Sequence, residues 1–106
     1  MSQQTDTIAR YHQFVALGNS AKPEDVDFLM NALTVQDDFA TSRLVDFALS
    51  LVETHEGKQR LRHYLFHGVP RQRNYAALYF KRKGYTELLD EAVAQGKIDS
   101  VQAYAR

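Results

Sequence analysis

The segment from Asp37 to His55 constrains the fold more than any other part of the chain. Its apolar residues Ala40, Leu44, Val45, Phe47, Ala48, Leu49, Leu51 and Val52 cover more than half of a helical wheel. Ser42, Arg43, Asp46, Ser50 and Glu53 form the remaining polar stripe, which reads as solvated. A helix apolar over so wide an arc needs neighbours on several sides, because apolar surface left in water forgoes about 25 cal/mol per Å². Asp37 and Asp38 open this helix with charge that suits its positive end, and it closes near Glu53–His55, before Gly57. The rest of the chain has to supply the helices that surround it.

The flanking segments carry the same signals. Thr5–Leu17 spaces Ile8, Tyr11, Phe14 and Val15 by three and four, with Thr5 or Asp6 as cap and Gly18 as stop. Pro23 at a first helical position, followed by Glu24 and Asp25, starts a second helix with Val26, Leu29, Met30 and Leu33 as its buried stripe. Downstream, Lys58–His67 turns Leu61, Tyr64 and Leu65 to the core and Arg60, His63 and His67 to the opposite face. Pro70 restarts the chain after Gly68, and Arg71–Lys83 is apolar all round in its middle, with charge at both ends and Gly84 as stop. A strand at Tyr75–Phe80 would have no partner strand. Thr86–Ala94 buries Leu88, Leu89, Ala92 and Val93, and Gly96 ends it. Asp99 or Ser100 caps a last short helix that packs back through Val101 and Tyr104. The expectation is an all-α fold of six or seven short helices, paired as antiparallel hairpins, in a single domain over residues 1–106.

Composition narrows the class of function. Without cysteine the chain has no disulfide, thiol nucleophile or thiolate metal site. The start, MSQQTDT, lacks the features of a secretion signal, and the longest apolar run falls far short of the ~20 residues that span a bilayer. A soluble, cytoplasmic protein with no membrane partner is expected. No serine sits in a Gly-x-Ser-x-Gly setting and no glycine-rich phosphate loop occurs, so neither an enzyme nor a bound cofactor is expected.

Charge is polarised. Residues 1–57 carry nine acids against three bases, residues 58–84 eight bases and no acid, and residues 85–106 four acids against two bases, although the net charge is zero. Such segregation has two explanations: basic helices neutralised by acidic ones within the fold, or an anionic partner. The binding candidates are Arg60, His63, His67, Arg71, Arg73 and Asn74, grouped around the Gly68–Arg73 corner. Guanidinium groups there suit an acidic surface of another protein, the expected partner. The same residues, with Tyr64, Tyr75 and Tyr79, would also suit the phosphates and bases of RNA or DNA. His63 and His67, four apart on a helix, have the spacing of two metal ligands. No carboxylate accompanies them between Lys58 and Gly84, and Arg60 opposes a cation, so two exposed histidines on a basic face is the simpler account.

One segment resembles a known family. Pro70, Arg73 three residues on, the small pair Ala76–Ala77, the Gly84 turn, and then Leu88, Leu89 and Ala92 resemble one unit of a HEAT-like helical repeat over about residues 70–94. The preceding pair of helices keeps only Arg43 and Ala48 of that pattern, and the unit lengths are unequal. The resemblance implies stacked helical hairpins that present a surface to a protein partner. The alternative is an irregular bundle of the same helices.

Overall fold

Each segment with helical spacing forms a helix, and no strand occurs among the described residues. The computed structural model describes residues 2–36 and 38–105, with side chains from Thr7 onward. Its helices are α1 (Ser2–Ser20), α2 (Pro23–Val35), α3 (Phe39–Ser50), α4 (His55–His67), α5 (Pro70–Lys83), α6 (Thr86–Ala94) and α7 (Ser100–Tyr104). The fold is all-α. The expected caps at Thr5 and Asp6, and the expected helix opening at Asp37, lie outside the described residues and side chains.

Local chemistry explains most of the boundaries. Pro23 and Pro70 occupy first helical turns, where a missing N–H costs nothing. Asp38 caps α3 by accepting from the Thr41 N–H at 2.7 Å, and Asp99 caps α7 by accepting from Gln102 at 2.7 Å. Gly84 ends α5 in the left-handed region at φ 80°, where Tyr85 N–H donates back to the Phe80 carbonyl at 2.9 Å.

The junction of α3 and α4 departs from expectation. α3 stops at Ser50, and α4 begins at His55, three residues before Lys58. The cause is Thr54. Its hydroxyl oxygen accepts from Gly57 N–H at 2.9 Å, capping α4, and its O–H donates to the Ala21 carbonyl at 2.8 Å. Gly57 is therefore inside the first turn of α4 and not a stop. Gly18 is likewise interior, since α1 continues to Ser20. A Cβ at Gly18 would stand 2.2 Å from the Ala48 carbonyl oxygen, so this glycine lets the α1 and α3 backbones touch.

The helices group into two units, Met1–Lys58 and Gln59–Arg106, divided within α4. In the first unit α1, α2 and α3 pack on one another around Phe14, Leu29, Met30, Leu33, Val45 and Leu49. The wide apolar arc of α3 is only partly covered: Val45, Ala48 and Leu49 are buried, whereas Ala40 and Phe47 are exposed. Ser42, expected in the solvated stripe, is buried together with Thr41. Thr41 is satisfied there, because its hydroxyl accepts from Arg10 at 2.6 Å and donates to Asp38 at 2.9 Å. Ile8 and Tyr11, expected in the core, are 53% and 45% exposed.

In the second unit α5, α6 and α7 pack on one another, with Ala76, Ala77, Tyr79, Phe80, Leu89 and Ala103 buried. From α4 this unit takes Leu61, Tyr64 and Leu65, as their spacing predicts, and also Phe66. Val101 does not pack back; it is 68% exposed, and Ala103 and Ile98 are buried instead. The end of α7 is held by Lys81, whose ammonium donates to the Ala105 carbonyl at 2.6 Å.

Candidate interaction surface

Because Leu61, Tyr64 and Leu65 point inward, the helical period turns Arg62, His63 and His67 outward on α4. The His63 and His67 rings lie 5.2 Å apart, tilted by 39°. Two further charges are steadied by aromatic faces: the Arg60 guanidinium stands 5.5 Å over the Tyr64 ring, and that of Arg62 stands 5.5 Å over Phe66. Arg62 also meets Glu91 of α6 at 3.7 Å, with both side chains about half exposed. Such a pair contributes at most about 1 kcal/mol and leaves the guanidinium open to competition. Gln59, His63 and His67 on α4, with Glu91 on α6 and Gln95 just after it, line a polar groove of about 390 Å³.

The start of α5 forms the adjoining corner. Val69 N–H donates to the buried Gln72 side chain at 3.0 Å, and Arg73 Nη1 donates to the Gly68 carbonyl at 2.9 Å. Arg73 thus ties its own helix to the preceding turn, and its Nε is buried without an acceptor. Asn74 accepts from the Gln102 side-chain amide at 3.2 Å, joining α5 to α7. Arg71 is half-buried in the first turn. Of the six candidates read from the sequence, then, Arg60, His63 and His67 share α4 with Arg62, while Arg71, Arg73 and Asn74 cluster on α5. Within that second cluster, Arg73 and Asn74 have structural partners inside the unit.

The aromatic residues of the basic segment are mostly inside. Tyr64 and Tyr79 are buried and Tyr75 is half-buried. Among the described residues, no three His, Cys, Asp or Glu side chains converge as metal ligands, and no helix is long and apolar enough to cross a membrane. In the same unit Tyr104 donates its hydroxyl to Asp90, which holds the phenol above its ordinary value; burial and the carboxylate's charge act in the same direction.

Sequence reasoning missed a second surface, on the Met1–Lys58 unit. Tyr11, Phe28, Val35, Phe39 and Phe47 are all exposed there. Phe28 and Val35 line a groove of about 510 Å³ between α1 and α2, and Tyr11 and Phe47 line one of about 730 Å³ between α1 and α3. The signal was present in the width of the α3 apolar arc, which two neighbouring helices cannot cover. Comparison of the chain with family models, curated proteins and solved structures finds no match.

Proposed function

We propose that this protein is a helical interaction module whose Gln59–Arg106 unit docks an acidic surface of another protein. The contact is made by the exposed face of α4 and the adjoining start of α5. The observation that carries this reading is the alignment of Arg62, His63 and His67 along one exposed helix face. The unit they belong to has nine basic residues against four acidic ones. Complementary charge of this kind steers association and sets specificity more than it sets affinity. The α5–α6 pair, packed together and joined through Gly84, is the hairpin that a HEAT-like unit would contribute. A cytoplasmic location belongs to the same reading.

The alternative is a module that reads the phosphate backbone of RNA or DNA with these residues. The surplus of basic residues favours it. Burial of Tyr64 and Tyr79 weighs against base stacking, which leaves only phosphate contacts. Fluorescence anisotropy with a labelled Glu-rich peptide and a mixed-sequence oligonucleotide of equal charge, both at low salt, separates the two. The peptide should bind, and the double change Arg62→Glu/His63→Glu should weaken it by about tenfold, or ~1.4 kcal/mol, with helicity unchanged. Peptide binding insensitive to that variant refutes the reading. Tighter binding of the oligonucleotide, falling steeply with salt, replaces it with the phosphate reading.

A further inference from the structure

Residues 1–58 carry nine acidic side chains and four basic ones, but the groove between α1 and α3 inverts that ratio. Two of the four bases, Arg10 and Arg43, line it, and among the described residues no acidic one does. The remainder of its lining is mainly apolar. Tyr11 from α1 and Phe47 from α3 lie nearly parallel, with ring centroids 6.1 Å apart and planes at 15°. Both are exposed, as is Phe39 next to the groove at 76%. A monomer that leaves contiguous large apolar side chains in water forgoes stability, and such patches mark contact surfaces.

The two cations differ in role. Arg10 is half-buried and held by the Gln36 and Thr41 side chains, so its position is fixed while its charge remains. Arg43 is exposed, lies 5.5 Å over the Phe39 ring, and makes no ion pair among the described residues. Its guanidinium is thus placed beside apolar surface with its hydrogen-bonding fork available for a carboxylate.

We infer that this groove docks an amphipathic α-helix of another protein. The apolar face of that helix lies along Tyr11, Leu44 and Phe47, and carboxylates on its flank meet Arg43 and Arg10. An occupant in an open groove between two helices has to satisfy its own backbone groups, which a helix does internally. A peptide added as a β-strand would need a sheet edge, and none exists among the described residues. A basic helix would find no carboxylate among the described lining residues. A second copy seated symmetrically on the same groove would bring Arg43 towards Arg43 between two units that each carry an excess of acid. This surface lies on a different unit from the α4 face, so the inference does not depend on the function proposed above.

The test uses the full chain, isotope-labelled for NMR, and two designed helical peptides that share one Leu/Phe face. One carries Glu along the flanks of that face and the other carries Lys. The Glu peptide should shift the amides around Tyr11, Leu44 and Phe47. Arg43→Glu should weaken it about tenfold and strengthen the Lys peptide, with the melting temperature unchanged. Phe47→Ala should weaken both peptides. Four results overturn the inference: the Lys peptide binding wild type as tightly as the Glu peptide, shifts confined to α4 and α6, neither peptide binding at millimolar concentration, or the same amides shifting only with the chain's own concentration. The last result would assign the face to self-association.

Discussion

Replacing Gly18 with alanine sets helix propensity against helix packing. In an exposed helix the change would stabilise by about 0.5–1 kcal/mol, because alanine loses less backbone freedom on folding. Here the added methyl would meet the Ala48 carbonyl oxygen at 2.2 Å and its carbonyl carbon at 2.9 Å, whereas ordinary contact begins near 3.4 Å. Both atoms belong to the α3 backbone, so no rotamer change relieves the clash, and the helices must separate by about 1 Å. A gap of that size forfeits about a quarter to a half of each contact it opens. Overpacking of this kind costs about 1–3 kcal/mol, and its upper end applies because backbone must move. After the propensity gain, the net loss is about 2 kcal/mol. For a domain of this size that lowers the melting temperature by about 10 °C. Thermal and urea unfolding followed by far-UV circular dichroism measure it, with Asn19→Ala, on an exposed position of the same helix, as a control expected within about 0.5 kcal/mol of wild type. Adding Ala48→Gly should not rescue the variant, because the clash is with the carbonyl and not with the methyl. A Gly18→Ala protein as stable as wild type, or more so, refutes the close approach of α1 and α3.

Three further outcomes follow from single contacts. Thr54→Val removes the cap on Gly57 and the donor to Ala21, and should cost about 1–2 kcal/mol in urea unfolding, while Thr54→Ser should retain most of the stability. Gly84→Ala meets no atom but must hold φ 80°, so it should cost about 1 kcal/mol, and Gly84→Asn should cost less. Tyr104 binds its proton more tightly in the folded chain than in the unfolded one, because the Asp90 carboxylate accepts its hydroxyl. That contribution is complete below the unfolded value of about 10 and is lost as pH rises through the higher folded value. Alkaline difference spectroscopy should therefore show the Tyr104 phenol ionising late. Asp90→Asn should abolish the delay, and an unchanged titration would exclude the Tyr104–Asp90 contact.

The amino-acid sequence alone determined the class of the fold and most of its punctuation. Pro23, Pro70, Asp38, Gly84 and Asp99 act on backbone groups within a few residues of themselves, so their effects do not depend on the rest of the molecule. The inward face of α4 was legible for the same reason: Leu61, Tyr64 and Leu65 follow one helical period. The candidate site was legible only in part. His63 and His67 stand exposed on α4 as their spacing requires, whereas Arg60, expected beside them, is half-buried and Arg62 is exposed in its place. The tethering of Arg73 to Gly68 and of Asn74 to Gln102 depends on how the chain turns and returns.

Tertiary structure alone decided which apolar residues are covered. Tyr11, Phe47 and Val101 have the spacing of core residues and are exposed, whereas Ser42 and Thr41 have the polarity of surface residues and are buried. It also decided what two of the glycines do. Gly18 and Gly57 read as helix stops, yet each lies inside a helix where another backbone approaches it. Burial and close approach are set by which distant segment arrives at a position. A periodicity confined to one helix records that the helix has an apolar face, but not how many neighbours come to cover it. For the Asp37–His55 segment that difference is the central one: its wide apolar arc demanded partners on several sides, α1 and α2 cover part of it, and the uncovered edge bearing Ala40, Leu44 and Phe47 lines the groove with Arg43.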